Sequence, residues 1–386
     1  MKQWLGRFLG TCAAAAMLLV GTDAAKGQIT PAEGYTPPDD TPTVKVGGTI
    51  FADYTYQLLP TGKDADGNII HPNAFNLSRA YINVTGQISH LISFRITPDV
   101  VRVGTITGAD GKPVSLPGLS GTLTYRLKYA YGQLNLDDLA NTEFSKVGQW
   151  HGSWIRLGMQ QTPYVDFQET IYRYRFQGTI FVDREGFLTS SDLGASAHLV
   201  FPGNFGDVHV GGYNGEGYTS AETNDQKAIQ ARLTIRPAPR IPILKGLRLT
   251  GFYDWDHYVM DARKERGVIE ATFENPCVNA GISYLKAKDQ ASSASVTEVD
   301  AEGWSGWITP RTNFGLEALI RYDYLKPKMS TQQRKDRLIA GPAYWFPVKG
   351  NVAAAILLDY EQVRYRNFAP ARPKEERYAI HTLFNF

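Results

Sequence analysis

The chain has 386 residues, with 40 basic and 38 acidic side chains and a net charge of +2. So even a balance offers no basic excess to drive bulk binding of nucleic acid or acidic lipid. With 37 Gly, 21 Tyr and 18 Phe, the composition leans toward β structure rather than long helices.

Residues 1–27 read as a signal peptide. Lys2 and Arg7 open it, Phe8–Val20 form its apolar core, and small residues lead to a cleavage point before Gln28. That core is too short for a membrane helix, which needs ~20 residues. Cys12 does not follow the apolar core but lies within it, ahead of its Ala-Met-Leu-Leu-Val run, which excludes a lipoprotein cleavage box. Without the leader only Cys277 remains, so no internal disulfide is expected. Residues 28–43, "QITPAEGYTPPDDTPT", form a Pro-rich linker without the apolar content for a core. No later apolar run reaches the ~18 residues of a spanning helix. An exported chain of this kind is either soluble or a β-barrel.

From residue 44 to 386 alternating strands and loops repeat. In "LSRAYINVTGQIS", Arg79, Tyr81, Asn83, Thr85 and Gln87 fall on one face, and Ala80, Ile82, Val84, Gly86 and Ile88 on the other. Next, Ser93, Arg95, Thr97 and Asp99 oppose Ile92, Phe94 and Ile96. In "TLTYRLKYAYGQL", Thr124, Arg126 and Lys128 oppose Leu123, Tyr125, Leu127, Tyr129 and Tyr131. "WIRLGMQ" sets Arg156 and Gln160 against Ile155, Leu157 and Met159. The code continues through 230–236, 247–256, 316–324 and 352–360. Charged residues in mid-strand suit a wet lumen, and clusters such as "YAY", "YDY" and "YWF" suit membrane interfaces. Strands of about ten residues are long enough to cross a bilayer when tilted. These features predict a transmembrane antiparallel β-barrel. About fifteen strands are evident, and an even number places one more within 163–190, giving about sixteen. Short connections ("GQISHLIS", "FPGNFGD", "FPVKGN") read as periplasmic turns, and longer ones ("LPTGKDADGNIIHPNAFN", "DQASSASVTEVDAEG") as outer loops.

Enzyme and metal signatures fail on inspection. "GADGKPV" has Ile106 where a phosphate loop needs its first Gly, and Pro113 where it needs Ser or Thr. "DADGN" spaces Asp64, Asp66 and Asn68 like a calcium loop, but Ile69 takes the required Gly position, so a polar turn is expected. Ser305 in "GWSGW" is no nucleophile elbow. No catalytic residue, metal ligand or cofactor is assigned.

The polar faces carry the information. Lys45, Arg79, Arg95, Arg126, Lys128 and Arg156 meet only Asp53 and Asp99, whereas Arg232, Arg236, Arg248 and Arg321 are mixed with Asp254, Asp256, Glu317, Asp323, Asp359 and Glu361. Two readings stand open: cations that favour anions in a pore, or ion pairs that brace the wall. Segment 161–190 interrupts the pattern with Asp166, Glu169, Arg173, Arg175 and Arg184 among aromatics. A loop this long needs a role: an inward constriction, or alternatively a lid or trimer contact. Aromatics on the lumen face look too few for a sugar slide.

"RAYINVTGQISHLISFRITPDV", "LKYAYGQLNL", "WIRLGMQQTPY" and "FVDREGFLTSSDLGASAHLVFPGNFGDVHVGGYNGEGY" resemble the phosphate-selective porin O and P family. The resemblance implies a 16-stranded barrel in a Gram-negative outer membrane, surrounded by its lipid. It also implies a homotrimer passing small anions by diffusion. Gln161 stands where that family carries a basic residue. In "RYAIHTLFNF", Tyr378, Ile380, Thr382, Phe384 and Phe386 line one face of a strand expected to close on the first, near Val44. Tyr378, Ile380, Phe384 and Phe386 resemble the signal read by the outer-membrane assembly machinery.

Overall fold

The computed structural model describes residues 40–102, 106–107, 113–114, 121–136, 152–222, 224–290, 297–348 and 352–386. The expected signal peptide and the expected linker up to residue 39 lie outside the described residues. From Asp40 onward the chain is one compact unit.

Sixteen antiparallel strands close into a barrel in which each pairs with its chain neighbour. They are β1 (Thr43–Leu59), β2 (Asn73–Gln87), β3 (Ile92–Arg102), β4 (Leu123–Asn135), β5 (Trp154–Gln161), β6 (Ser191–Val200), β7 (Gly206–Tyr213) and β8 (Ala228–Ile235). The second half comprises β9 (Arg248–Val259), β10 (Ala262–Asn275), β11 (Val278–Asp289), β12 (Val299–Pro310), β13 (Leu316–Lys326), β14 (Arg334–Trp345), β15 (Ala353–Arg366) and β16 (Glu375–Asn385). The seam joins β16 to β1, with Thr49 opposite Asn385 and Tyr56 opposite Tyr378. Gly48 and Phe386 extend it through two backbone hydrogen bonds of 2.8 and 2.9 Å. Closure leaves no strand edge unpaired, as a hydrocarbon environment demands.

Period-two alternation sorts the side chains. On β13, Leu316 and Ile320 are exposed outward while Leu319, Arg321 and Asp323 are buried inside. Leu157, Ile269, Ile282 and Leu358 continue the exposed apolar surface around the barrel. In water so large an apolar surface would be costly at ~25 cal/mol per Å²; on a closed barrel it is the lipid-facing band of a membrane-spanning wall. The long β1–β2, β5–β6 and β7–β8 connections lie at one end, which also carries the two-residue β9–β10 turn, and the other end carries the short β2–β3 and β10–β11 turns beside the longer β8–β9 connection.

Two expectations are corrected. Residues 163–190 contain no strand but two helices, α1 (Val165–Tyr172) and α2 (Phe181–Arg184). Val165, Gln168, Ile171 and Tyr172 form the buried face of α1, and Arg173 ends it in the left-handed region at φ 64. The sixteenth strand is supplied elsewhere along the chain. On β4, Tyr129 and Tyr131 do not join the outward row. A register shift sets Thr97 opposite Tyr129 but Pro98 opposite Leu127, a bulge that turns both Lys128 and Tyr129 inward.

Candidate functional site

Segment 162–190 lies inside the barrel and packs against the inner face of its second half. Tyr164 stacks on Phe252, Tyr172 meets Trp307 edge-on, and Tyr174 and Phe176 do the same with Trp345. Below these rings the wall itself is apolar, with Leu285, Leu319, Ile339 and Leu357 wholly buried. Polar anchors fix the segment over this surface. Arg321 Nε and Nη2 donate to Asp323 at 2.9 and 2.7 Å, and its Nη1 donates to the Thr179 carbonyl at 2.9 Å. Arg232 Nε holds the Pro163 carbonyl at 2.8 Å, Gln168 donates to Glu270 at 2.6 Å, and Tyr174 donates to Glu317 at 2.9 Å.

The sequence-selected cations divide accordingly. Arg232 pairs with Asp207, Arg248 with Glu274 at 2.9 Å and Arg321 with Asp323; these brace the wall. Arg79 and Arg126 share the fully buried Asp99 at 3.2 and 3.4 Å. Arg95, Lys128 and Arg156 form no ion pair among the described residues. Arg95 instead donates to Thr97 and Asn83 and lies over Tyr129. Lys128 donates to the Tyr81 hydroxyl at 3.2 Å, between the rings of Tyr81 and Tyr129. Arg156 donates to Gln133 and Gln161 at 2.7 and 2.9 Å and covers Trp154 and Tyr131. Lys45 is exposed near the start of β1 and Arg236 lies just past β8, both away from this group.

On the inward segment Arg173 pairs with Glu317, Arg175 with Glu169 at 2.6 Å, and Arg184 approaches Glu361 at 3.8 Å. Asp166 is half-buried and acts electrostatically on Arg156. Asp183 does the same with Arg175, Lys128 and Arg79. Burial raises the Asp183 and Glu169 carboxyls above the ordinary range, with Arg175 the chief opposing charge on each. The Arg184 guanidinium is pushed down to about 10 by burial and then by Arg321. Asp166 and Asp183 of the segment thus lie within electrostatic reach of Arg156, Lys128 and Arg79 on β2–β5. A cavity of about 710 Å³ opens beside the segment, lined by Arg79, Arg175, Arg184, Arg337 and Arg377 with Asp53 as the acidic member.

Arg337 and Arg377 were not selected from sequence, although each alternates with an outward neighbour, Leu338 and Tyr378; that parity marks both as inward. Lumen aromatics are also more numerous than expected, since Tyr81, Tyr129, Tyr131 and Trp154 all meet inward cations. In "DADGN" the Asp64 carboxylate accepts from the backbone of Asp66 and Asn68, a self-contained Asx-type turn.

No family model and no curated protein matches the chain; the likeness to solved structures is one of fold. The anion-selective porin from Comamonas acidovorans is 10% identical with a TM-score of 0.57, over 90% of this chain and 100% of that one. OmpF of Salmonella typhi, in complex with daunomycin, is 12% identical with a TM-score of 0.56, over 89% and 97%. A trimer form of OmpT, an outer membrane protein of Vibrio cholerae, is 11% identical with a TM-score of 0.54, over 90% and 100%. The chain has the porin-type fold of Gram-negative outer-membrane β-barrels.

Proposed function

We propose that the protein is an outer-membrane porin passing small hydrophilic solutes by diffusion, with a preference for anions of phosphate size. One observation carries the reading: Arg95 and Arg156 face the lumen with no carboxylate in ion-pair contact among the described residues, and Lys128, buried between Tyr81 and Tyr129, adds its charge behind them. Cations that spend no charge on internal pairs leave a positive field for a solute, and a narrow low-dielectric passage concentrates it. Segment 162–190 acts as the constriction, since it packs inside the barrel with its rings on the inner face of the second half. Gln161 serves this arrangement by accepting from Arg156. A homotrimer belongs to the same reading and draws support from the trimer form of the Vibrio protein. A sugar-type porin is favoured by the lumen aromatics alone, but Arg156 lies 3.7 Å above Trp154 and Lys128 sits between Tyr81 and Tyr129. Those rings already carry cations instead of offering bare stacking faces.

Planar-bilayer recording tests both levels. Stepwise conductance with an anion-favouring reversal potential is expected, and R95Q/K128Q/R156Q together should lower the anion-to-cation permeability ratio several-fold without changing heat-modifiable gel mobility. Absence of conductance steps overturns the porin reading; a cation-favouring wild type overturns the anion preference alone.

A further inference from the structure

The outer face of β13–β16 carries a cluster that a purely lipid-facing wall has no use for. Toward the end with the long connections, Lys326, Arg334, Arg364, Arg366 and Lys374 share the outward parity of Tyr322, Tyr360 and Tyr378. Register gathers them: Arg334 lies opposite Arg366, and Asp336 opposite Arg364. Three carboxylates accompany these five cations. Lys326 meets Glu302 at 2.7 Å, Arg366 meets Asp336 at 3.5 Å, and Lys374 pairs with Glu376. Arg334 and Arg364 are exposed and form no ion pair among the described residues, and the Arg366 side chain is 57% exposed.

Depth is fixed by tyrosines. Tyr284, Tyr322 and Tyr360 donate their hydroxyls to Glu302, Asp336 and Glu376 at 3.0, 2.9 and 2.6 Å. Amphipathic rings of this kind settle at the membrane interface, so the cations above them stand at the level of lipid headgroups. Below, Ala340, Gly341, Pro342, Leu358 and Ile380 floor an outward groove of about 480 Å³ that is almost wholly apolar. A guanidinium cluster stacked on an apolar groove matches an amphiphile: Arg grips phosphate through two parallel donors, and the groove accepts a hydrocarbon chain. A free anion would have no use for the groove.

We propose that this face binds one phosphate-bearing lipid of the surrounding leaflet, with its phosphates on Arg334, Arg364 and Arg366 and an acyl chain lying in the groove along Ala340 and Leu358. The carboxylates of Glu302, Asp336 and Glu376 keep the neighbouring cations in place and limit the patch to a single headgroup.

Native mass spectrometry of the folded barrel in detergent tests this with bis-phosphorylated lipid A, a neutral diacylglycerol and inorganic phosphate as probes. Lipid A should bind one per chain, and R334Q/R364Q/R366Q should weaken it on the order of a hundredfold, since each basic group near an anionic surface contributes roughly fivefold. Ala340→Phe, which fills the groove and keeps every charge, should weaken it several-fold. Both variants should keep wild-type conductance and heat-modifiable mobility, which separates this test from that of the porin reading. Lipid A binding unchanged in the triple variant, diacylglycerol binding equally well, or displacement by inorganic phosphate would overturn the proposal. So would an Ala340→Phe effect confined to subunit association.

Discussion

Within the lipid-facing band the two halves of the barrel wall have the same apolar outer face, and their inner faces are opposite in character. Outside, β2 and β13 both expose aliphatic residues, Ile82 on one and Ile320 on the other. Inside, β2–β5 present Arg95, Lys128 and Arg156 with amide and aromatic partners, whereas β11–β15 present Leu285, Leu319, Ile339 and Leu357 beneath the rings of segment 162–190. Lipid makes one demand on every outward residue. The interior differs: β2–β5 present polar and charged side chains inward, and β11–β15 hold a folded segment in place. Charge follows this division. Ion pairs concentrate where the segment is anchored, and unpaired cations remain where it is not.

The largest effect should come from breaking the packed side at Arg321. It is 1% exposed, and through Asp323 and Thr179 it ties wall to segment. Arg321→Ala leaves Asp323 buried with only the 2.6 Å hydrogen bond from Ser305, which should cost about 3–5 kcal/mol. The heat-modifiable transition on gels should fall in temperature, and single-channel conductance should become larger or noisier as the segment loosens. On the basic side Arg156→Gln should alter ion selectivity with little change in that transition. If both substitutions destabilise equally, the two walls do not differ in kind.

The outer faces were legible in the sequence because period two and lipid together fix them; Leu316–Tyr324 on β13 reads directly. The inner faces were only partly legible. Sequence shows that Arg232 and Arg156 point inward, but not that Asp207 waits beside one and Gln133 beside the other. Those partners lie on neighbouring strands, and register decides them. The bulge at Lys128–Tyr129 leaves no composition signal and reverses the parity of two tyrosines. Within 163–190 the alternation of Tyr172, Tyr174 and Phe176 with arginines imitates a strand. The buried periodicity of α1 and the left-handed Arg173 show why it turns instead.

The seam between β1 and β16 is where the two walls meet, and a smaller effect is expected there. Phe386 contributes two backbone hydrogen bonds to Gly48, and its ring lies so close that a Cβ on Gly48 would approach it to 2.5 Å. Two exchanged bonds with their packing are worth ~1–3 kcal/mol once assembled. Deleting Phe386 should therefore lower the amount of barrel reaching the outer membrane while leaving export intact, measured as the ratio of folded to unfolded protein in membrane and periplasmic fractions. Phe386→Ala, which keeps the backbone pair, separates closure of the seam from any need for the aromatic ring itself. Normal membrane levels of the deletion would show that the seam does not need this residue.

The smallest effect probes the charge balance across the passage. Burial holds the Asp183 carboxyl above the usual aspartate range, so on acidification from neutral pH it takes up a proton before an ordinary aspartate would. Its folded-state value is raised, so the protonated form suits the buried site. Its contribution to stability is therefore full at low pH and lost as pH rises through that value. In the same window the segment sheds negative charge while Arg95, Lys128 and Arg156 keep theirs. Anion preference, read as reversal potential in a salt gradient, should therefore strengthen as pH falls from neutral toward the carboxylate range. Asp183→Asn should raise the preference at neutral pH and flatten its pH dependence. A preference that weakens on acidification, or an Asp183→Asn barrel that keeps the full dependence, would place the controlling carboxylate elsewhere.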